Sequence, residues 1–129
     1  MLRSGILNPH LLSLLARFRH TNTLVIADRG FPFWPGLETI DLALVDNIPT
    51  VLDVLAAIRP AVVIGRVWMA EEFLHHNEVS VRQRCWQALD GLHVLYEPHA
   101  MLKQRVPSAV GLVRTADTVQ YANLILESA

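Results

Sequence analysis

Short apolar runs alternate along this chain with segments in which apolar residues return every three or four positions. Leu11, Leu12, Leu14, Leu15 and Phe18 recur at helical spacing. Asn8 and Pro9 precede them as an N-cap and a first helical residue, which predicts a helix from there to about Arg19. Thr23 to Ala27, T-L-V-I-A, is a compact β-branched run and reads as a buried strand that Asp28 closes. I-D-L-A-L-V at 40–45 alternates and predicts a second strand. Pro49 and Thr50 open a helix over 51–58 that Pro60 ends. The run 61–70 predicts a third strand, with Gly65 placed for a bulge. Asn77 is positioned to cap a helix reaching about Leu89, and Asp90-Gly91 stops it. A fourth strand is expected at 92–96 and a short helix at 98–105. Two last strands are expected at 109–114 and 121–126.

Strands alternating with helices argue an α/β fold. The short connection between the last two strands makes the sheet mixed rather than all parallel. The expectation is one domain over 1–129, a mixed central sheet of about six strands with flanking helices. The chain is 52% hydrophobic with a mean hydropathy of +0.31. No apolar run reaches the roughly eighteen residues that a membrane helix needs, so the excess is expected between subunits of a homo-oligomer. A formal net charge of −1 gives no nucleic-acid footprint. The start is too quickly broken by Pro9 for a secretory signal. Cys85 is the lone cysteine and makes no internal disulfide, which fits a reducing cytoplasm. Neither a phosphate-binding nor a dinucleotide-binding glycine motif occurs. Lys103, the only lysine beside ten arginines, has no surroundings that mark it as a Schiff-base amine.

Candidate chemistry gathers around the first strand. His20 precedes it and Asp28 ends it, at the carboxyl end where open α/β sheets bind ligands. An extended run of that length separates the two by about 25 Å. They share a site only if the segment from His20 to Thr23 folds back. On these residues alone, the plain reading is a histidine at a helix end and an aspartate capping a turn. Phe31, Phe33 and Trp34 lie on the next loop between prolines. They can form a sugar-binding platform or pack on the core. Glu71, Glu72, His75 and His76 make two acid–histidine pairs four residues apart. No third metal ligand is marked, and an ordinary helix face explains them.

The stretches L-N-P-H-L-L at 7–12, R-H-T at 19–21, D-R-G-F-P at 28–32, I-D-L-A-L at 40–44, A-E-E at 70–72 and R-T-A-D-T-V-Q-Y-A-N at 114–123 stand in one order. Together they resemble the D-ribose pyranase / L-fucose mutarotase family, the ribose branch more closely. The resemblance spans nearly the whole chain. It implies a sugar isomerase without cofactor or metal, acting on a free monosaccharide and assembled as a ring-like homo-oligomer. It also implies His20 as proton donor. Asp28, His99 and the run Tyr121, Ala122 and Asn123 are implied as the sugar-binding residues. His10, His93 and Cys85 gain no role. Arg29 stands where the family commonly has a small residue, and Phe33-Trp34 makes a bulkier loop. Asp117 replaces the usual Glu. A fucose-type mutarotase and a non-catalytic sugar-binding protein therefore stand beside the pyranase reading. Neighbouring side chains point apart in an extended turn, so Arg29 is expected to face away from Asp28.

Overall fold

The computed structural model covers residues 1–129. Helix α1, Pro9–Ala16, is capped by Asn8, whose Oδ1 accepts the Leu11 N–H at 2.9 Å. It stops at Arg17, short of the expected end, so Arg17 and Arg19 lie beyond its last turn. Strand β1, Thr23–Ala27, follows and then β2, Thr39–Asp41. The expected strand to Val45 ends early because the Asp41 carboxylate accepts the Ala43 N–H and turns the chain out. Helix α2, Val51–Ile58, opens with a reciprocal capping box between Thr50 and Asp53. Strand β3, Ile64–Ala70, carries an irregularity of register at Gly65.

A five-residue helix α3, Glu72–His76, precedes α4, Val79–Ala88. Asn77 is not the N-cap of α4; Glu78 is, and the Asn77 amide is taken by other carbonyls. Strand β4, Val94–Glu97, helix α5, His99–Arg105, and strands β5, Gly111–Arg114, and β6, Leu124–Ser128, complete the chain. Tyr121 was expected to begin the last strand. It lies before it, in a turn with φ +58°.

The six strands form one sheet in the order β2-β5-β1-β6-β3-β4. Five run parallel and β6 alone runs against its neighbours β1 and β3. The sheet is therefore mixed as expected, for a different reason. The connection from β5 to β6 is not a hairpin, since β1 lies between them. It must cross the carboxyl end of β1, which is where Asp28 stands.

Both faces of the sheet are buried, as parallel strands require. Leu24 and Ile26 of β1 join one core with Leu14, Leu55, Phe73 and Leu124. Val25 and Ala27 join the opposite one with Trp68, Leu102 and Ile125. Alternation along each strand thus splits its residues between two cores. Because the strands before α3 and α5 are parallel to β1, Glu72 and His99 are delivered to the same sheet edge as Asp28. No helix is long and apolar enough to cross a membrane.

Candidate active site at the carboxyl edge of the sheet

A cleft of about 340 Å³ opens at this edge, lined by Asp28, Phe31, His99, Gln120, Tyr121 and Asn123 among others. Its floor is set by one residue pair. The Asn123 amide accepts the Asp28 N–H at 2.7 Å and donates to Asp28 Oδ2 at 3.1 Å. The Gly30 N–H donates to Asp28 Oδ1 at 2.9 Å. The carboxylate is thus held in one orientation before any ligand arrives. Asn123 is buried, and both hydrogen bonds of its side chain go to Asp28. Ala122 is buried in the core behind the cleft and presents no side chain to it.

The loop after β1 is fixed from β5. Arg114 donates from Nη1 to the Asp28 and Arg29 carbonyls and from Nη2 to that of Pro32, all within 3.2–3.3 Å. The buried Asp117 anchors the crossing connection, accepting the Val51 N–H of α2 at 2.9 Å and the Val119 N–H at 2.8 Å. Neither role was legible as function in the sequence. Both residues stand inside the 114–123 stretch, and only the three-dimensional crossing reveals what they hold. Arg29 points away from Asp28 and pairs with Asp46 at 2.6 Å.

His99 forms one wall. Its ring stands 6.2 Å from Phe31 and 5.2 Å from Tyr121, nearly perpendicular to each at 82° and 79°. Its backbone N–H, not the ring, donates to both oxygens of the Glu72 carboxylate at 3.1 Å. Burial pushes its pKa below the ordinary histidine value, and Lys103 pushes it further down. Glu72 and Asp28 pull in the other direction without reversing it. His99 is therefore neutral at pH 7, with one donor and one acceptor nitrogen. Removing the Lys103 charge is expected to raise the His99 midpoint. An NMR pH titration of Lys103→Ala against the parent checks the sign, and an unmoved or lowered midpoint contradicts it.

The expected aromatic platform is divided. Phe31 is buried against His99, whereas Phe33 is exposed beside Trp34 and Lys103 in an adjoining hollow. The two acid–histidine pairs do not converge either. Glu72 turns to His99, while the His76 ring lies 5.2 Å from Tyr121. No group of three or more His, Cys, Asp or Glu side chains is placed to hold a metal ion. Cys85 is buried, and desolvation followed by the Asp117 charge pushes its thiol up to about 12. It stays a protonated core residue.

His20 is not in this cleft. It is exposed, in a turn fixed by the Thr21 N–H on the Ser128 carbonyl and the Asn22 N–H on the Arg19 carbonyl. The segment before Thr23 does not fold back. The five residues of β1 span about 17 Å at the usual strand rise, and His20 stands beyond the far end of them.

The RbsD / FucU transport protein family model matches residues 1–129. The chain belongs to the RbsD/FucU family. Among RbsD/FucU relatives it is 39% identical to a D-ribose pyranase of Laribacter hongkongensis over 128 residues, covering 99% of this chain and 97% of that one. A D-ribose pyranase of Staphylococcus aureus is 33% identical over 130 residues, with the same coverage. Bacillus subtilis RbsD complexed with D-ribose superposes with a TM-score of 0.92 at 31% identity, over 100% of this chain and 98% of that one. The fucose mutarotase of Streptococcus pneumoniae, solved with L-fucose, shares the fold at TM-score 0.79 and 19% identity, over 95% and 92% of the two chains.

Proposed function

We propose that this protein is a cofactor-free isomerase that interconverts the ring forms of free D-ribose. The observation that carries this reading is the pre-set Asp28–Asn123 pair beside a neutral His99 and Tyr121, in a chain whose full-length relatives include D-ribose pyranases.

Opening a cyclic hemiacetal removes a proton from the anomeric hydroxyl and adds one to the ring oxygen. Closing on another hydroxyl reverses both transfers. Only O–H protons move, so the chemistry calls for neither a redox group nor an electrophilic ion. The fixed Asp28 carboxylate accepts a hydrogen bond from a sugar hydroxyl. Neutral His99 and the Tyr121 phenol bind others, each as donor or acceptor. A further acid–base group then delivers the proton to the ring oxygen, a role that suits a histidine.

His20 fills that role only if it comes from a second copy, since within one chain it lies across the sheet from the cleft. Such an arrangement is head-to-tail: the His20 end of one subunit meets the Asp28 end of the next. Repeated with a rotation that closes, it makes a ring. Both ends carry uncovered apolar side chains, with Leu44, Val45 and Ile48 near the cleft edge and Val63 near His20. A free pentose substrate and an unpaired thiol fit a reducing, cytoplasmic setting.

Saturation-transfer NMR over a panel of aldoses tests the reading. Exchange between ribopyranose and ribofuranose is expected to accelerate with protein concentration. Acceleration for fucose and not ribose would make the protein a fucose-type mutarotase. Sugar binding with no accelerated exchange would make it a binding protein on the same scaffold.

A further inference from the structure

Tyr121 carries an unusual backbone for its size. Its φ of +58° lies in the left-handed region, which bulky L-residues rarely adopt. Such a conformation persists only where its surroundings hold it. The holds come largely from one short segment, α3 and the residue after it. The Asn77 amide donates to the Gln120 carbonyl at 2.9 Å and to the Phe73 carbonyl at 3.0 Å. It thereby ties the peptide entering Tyr121 to the end of α3. The His76 ring packs on the Tyr121 ring at 5.2 Å with the planes 43° apart. His99 closes on the same ring from α5, also at 5.2 Å. Glu72, one turn before His76, holds the His99 backbone N–H.

We propose that His76 and Asn77 are positioning residues for the sugar site. Asn77 fixes the left-handed turn at 120–121, and His76 keeps the Tyr121 ring against His99. This rests on the sugar-isomerase reading and deepens it. His76 is exposed and adds nothing to either core. Its one aromatic neighbour is the cleft tyrosine. A Tyr121 ring released from His76 leaves the cleft in several orientations rather than one, and substrate binding suffers first.

The test compares His76→Ala, His76→Phe and Asn77→Ala with the parent. Two readouts are used: ribose exchange kinetics, and the nuclear Overhauser contact between the Tyr121 and His99 rings in sugar-free protein. His76→Ala and Asn77→Ala are expected to raise KM about ten- to a hundredfold with a smaller change in kcat, the scale of a misplaced binding group. Both should lose the ring contact. The exposed His76→Ala should keep the parent's amide spectrum and unfolding temperature within a few degrees, and Asn77→Ala, which gives up two hydrogen bonds, should unfold at a lower temperature but still fold. His76→Phe, which keeps an aromatic face, should retain the contact and most of the affinity.

Parental KM and an intact contact in His76→Ala overturn the proposal. So does a His76→Phe variant as impaired as His76→Ala, because the imidazole's protons would then be at work rather than its face. If the parent exchanges no sugar at all, the isomerase reading fails by itself. The ring contact still decides whether His76 and Asn77 hold Tyr121.

Discussion

His20→Ala is expected to remove most ring-form exchange, about 10²- to 10⁴-fold, the usual worth of a positioned acid–base group. The loss should fall on kcat rather than on sugar affinity. Asp28, His99, Tyr121 and Asn123 line a cleft that one chain builds without His20, so the variant should still bind ribose. Stability should hardly change, because the His20 side chain is exposed and the turn around it is secured by backbone hydrogen bonds. Exchange by saturation transfer, affinity by calorimetry and unfolding temperature separate these three effects. Parental exchange rates in the variant would remove His20 from the mechanism. A large loss of affinity with unchanged turnover would make it a binding group instead.

The α/β class was legible because it rests on local pattern, whereas the sheet is mixed through the placement of β6 between β1 and β3, not through the hairpin the short connection suggests. T-L-V-I-A at 23–27 cannot avoid being a buried strand, and Asn8-Pro9 and Thr50 open the helices expected of them. Errors arose where tertiary contacts outvoted that pattern. The alternation at 40–45 continues through Leu42 and Leu44, yet an aspartate turn ends the strand at Asp41. Asn77 has the chemistry of a cap, but two carbonyls brought in by the fold compete for its amide. Tyr121 follows a short connection that resembles a hairpin loop. Its left-handed turn lies on the crossing over β1, where the Asn77 amide reaches the Gln120 carbonyl, a contact that only folding supplies. Strand order depends on partners distant in sequence, and nothing local encodes it. Asp28 was legible from its place after a strand. His99 and the 121–123 run carried no signal of their own beyond the family resemblance. His76 was read only as half of an acid–histidine pair and Arg114 only as part of the 114–123 stretch, because their targets, a tyrosine ring and a loop backbone, meet them only after folding. The arithmetic of β1 already separated His20 from Asp28 by more than a single site can span.

That separation makes a mixture of two inactive variants the sharpest test of assembly. His20→Ala keeps a complete Asp28 cleft and lacks the proposed proton donor. Asp28→Asn keeps His20 and loses the carboxylate that Gly30 and Asn123 orient. Each homo-oligomer should be inactive. When the two are unfolded together and refolded at equal concentration, some junctions place an intact cleft beside an intact His20 of the neighbouring subunit. In a head-to-tail ring with random order, about one junction in four does so, and roughly a quarter of parental activity should return. The gain should follow subunit exchange and be absent when pre-formed oligomers are mixed and assayed at once. If His20 and Asp28 of the same chain formed the site, no mixture could combine them, and activity would stay at the level of the separate variants. A monomer by light scattering at micromolar concentration, with parental exchange activity, would refute the shared site directly. Then the span of β1 would leave His20 outside the chemistry, and the proton would have to come from the cleft's own residues.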